Sequence, residues 1–234
     1  MTTILITGAT RGIGKETARS LAEAGHTVYV GARSAEDGRA VAAELGARWV
    51  QLEVTDDASV AAALEAIDRE LDGAPLDVLV NNAGIGVFGR DDPTEALHAF
   101  DVNVVGPMRV TEAALPLLKR STDPLVLTIS SALGSFWATE NPEHPASQFS
   151  SFVYASSKSA VSMLMLQYAH AEPDVRFVAV EPGYTATDLG GQPNPHGRPV
   201  EVSGAFVAGL ATGEGVLGRP ATGTLVQDSG ILPW

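Results

Sequence analysis

Apolar runs rich in β-branched residues return along this chain with helix-like segments between them, and this rhythm narrows the possible folds most. The runs lie at 2–7, 26–32, 47–52, 76–81, 125–130, 175–181 and 223–228. Helical patterns occupy 13–24, 35–45, 57–71 and 94–120. Strands apolar on both faces, alternating with helices, imply βαβ units around a parallel sheet buried between helix layers. The expected fold class is therefore α/β. No linker, internal repeat or low-complexity tract interrupts the 234 residues, so one domain, 1–234, is expected. Two segments break the rhythm. Residues 132–152 read as a long loop with two prolines, and loops of that length are usually functional. Residues 182–200 hold four prolines and four glycines.

Composition excludes several classes of function. The chain is 45% hydrophobic and 18% charged, enough to bury a sizeable core. Its net charge of −13 argues against nucleic acid and anionic membranes as partners. The absence of cysteine excludes disulfides and thiolate metal sites, and fits a reducing, cytoplasmic setting. No signal peptide or transmembrane run is read at the N-terminus or elsewhere. The five histidines (26, 98, 144, 170, 196) show no metal-ligand spacing, so no metal is expected. No G-x-S-x-G occurs, which leaves an α/β serine hydrolase unsupported.

The first strand runs into TGATRGIG, where Gly8, Gly12 and Gly14 precede a helix. Such a turn lets the backbone approach a pyrophosphate while the helix N-terminus offers amides and positive dipole. Methyltransferases and plain tight turns share the pattern. The second strand ends VGARS, with Arg33 where an NAD-binding fold carries an acid for the ribose 2′-hydroxyl. Arg11 and Arg33 together would suit a 2′-phosphate, hence NADP(H). Alternatively, Arg33 is a solvated residue at a helix start.

Tyr154 and Lys158 stand four apart in SFVYASSKSAVSM, on one helix face, among small neighbours. Lys158 is one of three lysines, with Lys15 and Lys119. A phenol normally titrates near 10, too high for easy proton exchange at neutral pH. An ammonium about 6 Å away is worth roughly 3 kcal/mol and would bring the phenol toward the operating pH. Ser130 or Ser131, at the end of the fifth strand, could hydrogen-bond the same substrate oxygen. Most helical Tyr–Lys pairs are surface residues, and strand-end serines often cap loops.

Taken together these residues resemble the short-chain dehydrogenase/reductase family, its carbonyl-reductase-like branch in particular, over nearly the whole chain. TGATRGIG resembles the T-G-x-x-x-G-x-G cofactor turn, NNAG (81–84) the end of the fourth strand, and DVNVVG (101–106) the helix with the family's asparagine. YASSK resembles Y-x-x-x-K, and EPGYTATD (181–188) resembles the P-G-x-x-x-T element. The resemblance implies a Rossmann-type doubly wound domain with a seven-stranded parallel sheet in the order 3-2-1-4-5-6-7. It implies Tyr154 as proton donor and Lys158 as the group that lowers its pKa and binds the nicotinamide ribose. Ser131 would hold the substrate oxygen, and Asn103 a water linking Lys158 to solvent. Gly8, Thr10, Arg11, Gly12, Ile13 and Gly14 would contact the pyrophosphate and adenosine side. Arg33, Glu53 and Val54 would sit by the adenosine, with Asn81, Ala83 and Gly84 flanking its ribose. Pro182, Gly183, Thr185 and Thr187 would seat the nicotinamide.

Three departures stand out. Glu53 replaces the usual aspartate in LEVTD, and Ser131 lies 23 residues before Tyr154 instead of about a dozen. The extra residues, 132–152, would shape the substrate site or impede the helix pairing that makes tetramers. Phe136, Trp137, Phe149 and Phe152 would either line a pocket there or dock the loop on its own domain, and Trp234 would cap the core. The third departure is a short lid, 184–200, which suggests an open site. The expected function is NADP(H)-dependent hydride transfer to a small-molecule ketone or aldehyde, or from a secondary alcohol. A non-catalytic NADP-binding sensor or scaffold and a 3-oxoacyl reductase are the alternatives, the second disfavoured by the acidic surface. Monomer, dimer and tetramer all remain open.

Overall fold

The computed structural model describes residues 1–87, 92–189, 191 and 195–234. Residues 190 and 192–194 of the expected lid lie outside the described residues. Eight strands form one sheet: β1 (Thr3–Thr7), β2 (Thr27–Ala32), β3 (Arg48–Gln51), β4 (Val78–Asn81), β5 (Leu125–Ile129), β6 (Arg176–Val180), β7 (Thr224–Gln227) and β8 (Gly230–Leu232). Their order is β3-β2-β1-β4-β5-β6-β7-β8. The first seven are parallel in the expected order. The eighth is an addition: after β7 the chain turns back and pairs antiparallel, Leu225 with Leu232.

Strand alternation sends side chains to opposite faces. Leu5, Tyr29, Leu79, Val126 and Phe177 fill one core, against α3 (Asp57–Leu71), α5 (Gly106–Leu118) and α7 (Phe152–Ala171). Ile4, Ile6, Val28, Val30, Val80, Leu127 and Val178 fill the other, against α1 (Gly12–Glu23), α2 (Ala35–Leu45) and α8 (Val200–Thr212). With both faces covered, the strands have no polar side, which is why they read as continuous apolar runs. No helix of the described residues is long and apolar enough to cross a membrane.

Two sequence expectations need correction. The pattern at 94–120 is not one helix. It is α4 (Pro93–Phe100), a π-helical turn (Asp101–Val105) and α5. One wide turn barely disturbs the apolar periodicity, so the sequence hides it; such turns recur at functional sites. Nor is 132–152 structureless. It contains 3₁₀ turns at Ala132–Gly134 and Pro145–Gln148 and a short α6 (Phe136–Glu140). Ser135 caps α6 by accepting from the Ala138 N–H at 3.0 Å, and its hydroxyl donates to the Pro233 carbonyl at 2.6 Å. The Trp137 N–H donates to the Trp234 carbonyl at 3.1 Å, and the Ser159 hydroxyl to the Gly134 carbonyl at 2.9 Å. The insertion is thus fastened to α7 and to the strand end beyond β8.

Candidate active site

The strand order reverses between β1 and β4, and a cleft of about 900 Å³ opens at the carboxyl ends of the strands there. Gly8, Thr10, Arg11, Gly12 and Ile13 line one end. Gly8 has φ 63°, and a Cβ there would meet the Ala83 Cα at 2.8 Å, so only glycine closes this turn. α1, like α5 and α7, has no side-chain cap and no acid in its first turn, and of these its start carries the glycine turn that lines the cleft. Its free amides and positive dipole face the cleft, a fit for a pyrophosphate.

At the other end Ser131, Tyr154 and Lys158 line the same wall, Ser131 from the end of β5 and the other two from the first turns of α7. Tyr154 and Lys158 are 8% and 5% exposed. The Lys158 Nζ donates to the Ile129 carbonyl at 2.7 Å and lies 5.6 Å from the centre of the Tyr154 ring. The expected lowering of the phenol by the ammonium is not what prevails. Burial first, then the Glu181 carboxylate, push Tyr154 above its usual range, against a hydrogen bond with Ser131. Burial also lowers Lys158, to about 8, against the pull of Glu181. Both charged forms lose hydration in this dry wall, and desolvation outweighs the pairing. Of the two candidate serines, both on the cleft wall, Ser130 pairs its hydroxyl with Ser162 at 2.7 Å and Ser131 hydrogen-bonds Tyr154.

Val54, Glu53, Arg33, Ala83 and Gly84 also line the cleft, as do Pro182, Gly183, Thr185 and Thr187. The extra methylene of Glu53 lets its carboxylate fold back on Thr55, accepting from its hydroxyl at 3.0 Å. Arg33 is exposed, and Arg11 reaches across the cleft to pair with Asp188 instead of joining Arg33. Three expected residues are not on the wall. Asn81 points into the core, donating to Thr111 at 3.1 Å, because strand parity places it under the sheet. Gly14 sits behind the turn, where a Cβ would meet the Asn82 amide at 2.3 Å. Asn103, on the π turn, accepts from the Ile85 N–H at 2.9 Å and donates to the Ile85 carbonyl and to Ser157 at 3.0 Å. It braces the loop after β4 against α7.

Asn82 is the asparagine of NNAG that serves the cleft. Its amide donates to the Thr7 and Gly8 carbonyls at 2.9 and 3.0 Å, holding the glycine turn. Only the parity of β4 could have singled it out. Sequence reasoning also missed Glu181, whose carboxylate accepts from the N–H groups of Ala132 and Gly183, and Arg198, which binds the Pro182 carbonyl, Ser203 and Asp228. Of the insertion's aromatics only Phe149 lines the cleft, its ring 6.2 Å from that of Tyr184.

Residues 2–196 match the family model described as short chain dehydrogenase. The short chain dehydrogenase tazN of Aspergillus terreus is 33% identical over 222 residues, 88% of this chain and 46% of that protein, so the chain spans less than half its length. The short-chain dehydrogenase/reductase tropE of Talaromyces stipitatus is 30% identical over 247 residues, covering 90% of each. The solved structure of NADPH-bound carbonyl reductase from chicken fatty liver matches with a TM-score of 0.84 at 26% identity, over 100% of this chain and 99% of that one.

Proposed function

The chain belongs to the short chain dehydrogenase family, and from that premise we propose an NADP(H)-dependent oxidoreductase acting on a small-molecule ketone, aldehyde or secondary alcohol. The observation that carries this reading is the single cleft joining the Ser131–Tyr154–Lys158 wall to the uncapped start of α1. The nicotinamide, when bound, supplies or accepts the hydride. The protein holds and protonates. Gly8, Thr10, Gly12 and Ile13 with the α1 amides would hold the pyrophosphate, and Ala83 and Gly84 the adenosine ribose. Arg33, freely exposed, would meet the 2′-phosphate, joined by Arg11 once Asp188 yields it. Pro182, Gly183, Thr185 and Thr187 would seat the nicotinamide, and Lys158 its ribose hydroxyls.

In the reducing direction Tyr154 donates its phenolic proton to the carbonyl oxygen while the Ser131 hydroxyl hydrogen-bonds that oxygen. The cationic Lys158 then stabilises the phenolate left behind. The insertion 132–152 and residues 184–189 would form the substrate's walls, with Phe149 and Tyr184 at the mouth. The chicken carbonyl reductase binds NADPH, which supports the cofactor choice. The test is a fluorescence titration with NADPH and NADH, followed by a carbonyl screen on NADPH. Micromolar NADPH binding far tighter than NADH is expected, with Arg33→Asp shifting the preference toward NADH. An unchanged preference in that variant would remove Arg33 from the site.

A further inference from the structure

Residues 182–185 line the cleft, and their backbone carbonyls are held from one later residue, Arg198. Its guanidinium donates to the Pro182 carbonyl, and its backbone N–H donates to the Tyr184 carbonyl at 2.8 Å. The carbonyl between them is reached by relay. The Arg198 Nε donates to the Ser203 hydroxyl at 2.8 Å, Ser203 lies 2.6 Å from the Thr185 hydroxyl, and Thr185 donates to the Gly183 carbonyl at 2.7 Å. A guanidinium only donates, so the Ser203 oxygen accepts from it. The Thr185 proton is spent on Gly183, so Ser203 donates its own proton to Thr185. Every proton in the relay therefore points from Arg198 toward the turn. Three consecutive carbonyls, those of Pro182, Gly183 and Tyr184, are fixed in this way.

The guanidinium lies against the turn itself. Gly183 has φ 85°, and a Cβ there would meet the Arg198 Cζ at 2.5 Å, so only glycine leaves it room. At Gly197 a Cβ would collide with the backbone of Thr185 and Ala186, beside the bridge in which the Ala186 N–H donates to the Arg198 carbonyl at 2.9 Å. The remaining branch of the guanidinium pairs with Asp228 at 2.6 Å, in the turn between β7 and β8. Arg198 thus ties residues 182–185 to α8, through the buried Ser203, and to the end of β7.

We propose that Arg198 is a positioning residue for the nicotinamide end of the cofactor: it fixes the peptide planes of residues 182–185 through their carbonyls and acts on the cofactor only through them. The proposal rests on the reading that this turn seats the nicotinamide. A lysine could keep the ion pair with Asp228, but it has one nitrogen where the planar guanidinium fork serves three acceptors on three segments. The role therefore belongs to the shape of the fork and not to its charge alone.

The test compares Arg198→Lys with the wild type using two probes. NADPH carries the nicotinamide, whereas adenosine 2′,5′-bisphosphate carries the adenosine end alone. In Arg198→Lys the Kd for NADPH is expected to rise about tenfold, while that for adenosine 2′,5′-bisphosphate stays within about twofold. The emission of bound NADPH, which reads the surroundings of the nicotinamide, should move toward that of the free cofactor. A lower Tm with both Kd values unchanged would make Arg198 merely structural, and an equal loss for both probes would spread its effect over the whole cleft. Either result overturns the proposal. The wild-type protein provides a measurement that needs no folded variant. The NMR signal of its Arg198 Nε–H should shift on addition of NADPH and stay in place with adenosine 2′,5′-bisphosphate; a signal unmoved by NADPH equally overturns the proposal. A wild-type chain that does not bind NADPH sinks the proposed function and the role of Arg198 with it. A chain that binds NADPH equally well as wild type and as Arg198→Lys sinks the role of Arg198 alone.

Discussion

Tyr154 and Lys158 show what burial does to a pair of titratable groups. The phenol hydrogen-bonds Ser131 on the cleft wall, so Tyr154→Phe should lower kcat by about two to four orders of magnitude. NADPH affinity should stay within about threefold, because the lost hydroxyl serves the substrate. Retention of more than a few per cent of the activity would give the proton to another group. Lys158 makes the second residue-level prediction. Its folded value, about 8, lies below that of a free lysine, so the folded chain binds fewer protons than the unfolded chain between about pH 8 and the free-lysine range. Its contribution to stability therefore rises with pH across that window and is fully unfavourable below it. Replacing the ammonium in Lys158→Met should remove that penalty at pH 7, offset in part at every pH by the donor lost from the Ile129 carbonyl. Calorimetry should show a higher Tm at pH 7 and a smaller gain near pH 10, with turnover lost. A gain that does not change with pH would mean that the ammonium stays hydrated.

At the scale of elements, the site depends on pieces that hold other pieces. The π turn carries Asn103 to Ile85, Asn82 ties β4 to the glycine turn, and Glu181 ties β5 to the turn after β6. Ser135 does the same for the insertion, capping α6 and bonding the Pro233 carbonyl while 1% exposed. Ser135→Ala removes a cap and leaves that carbonyl without its donor, a cost of about 1–3 kcal/mol. For a chain of this size Tm should fall by about 3–10 °C. If the insertion forms a substrate wall, KM for a carbonyl substrate should rise while the NADPH Kd holds. A rise in the Kd instead would place the insertion's influence at the cofactor end. These ties also mark the limit of local reading. YASSK was legible because i, i+4 is a one-turn relation, whereas Glu181 acquires its partners only because β6 lies beside β5. Arg11 was expected to join Arg33, but the segment after β6 returns over the glycine turn and offers Asp188 first.

For the whole molecule, a cofactor bound in the cleft at the reversal between β1 and β4 would couple binding to stability. A ligand bound only by the folded chain stabilises it by about 2.7 kcal/mol at a hundred times its Kd. NADPH at that concentration should raise Tm by about 5–10 °C, and NADH at the same concentration by clearly less. Equal shifts would show that the 2′-phosphate is not read. The sequence by itself determined the class of fold, through its apolar periodicity, while its resemblance to the family implied the order of the first seven strands and the Ser131–Tyr154–Lys158 set. The tertiary structure alone decided that Asn82 and not Asn81 serves the cleft, and that a π turn interrupts 94–120. It alone decided that the insertion folds onto α7, that β8 extends the sheet, and that Glu181 bridges the Ala132 and Gly183 N–H groups. Each of these depends on strand parity, register or the packing of segments far apart in sequence, and the desolvation that raises Tyr154 and lowers Lys158 exists only once the wall is closed.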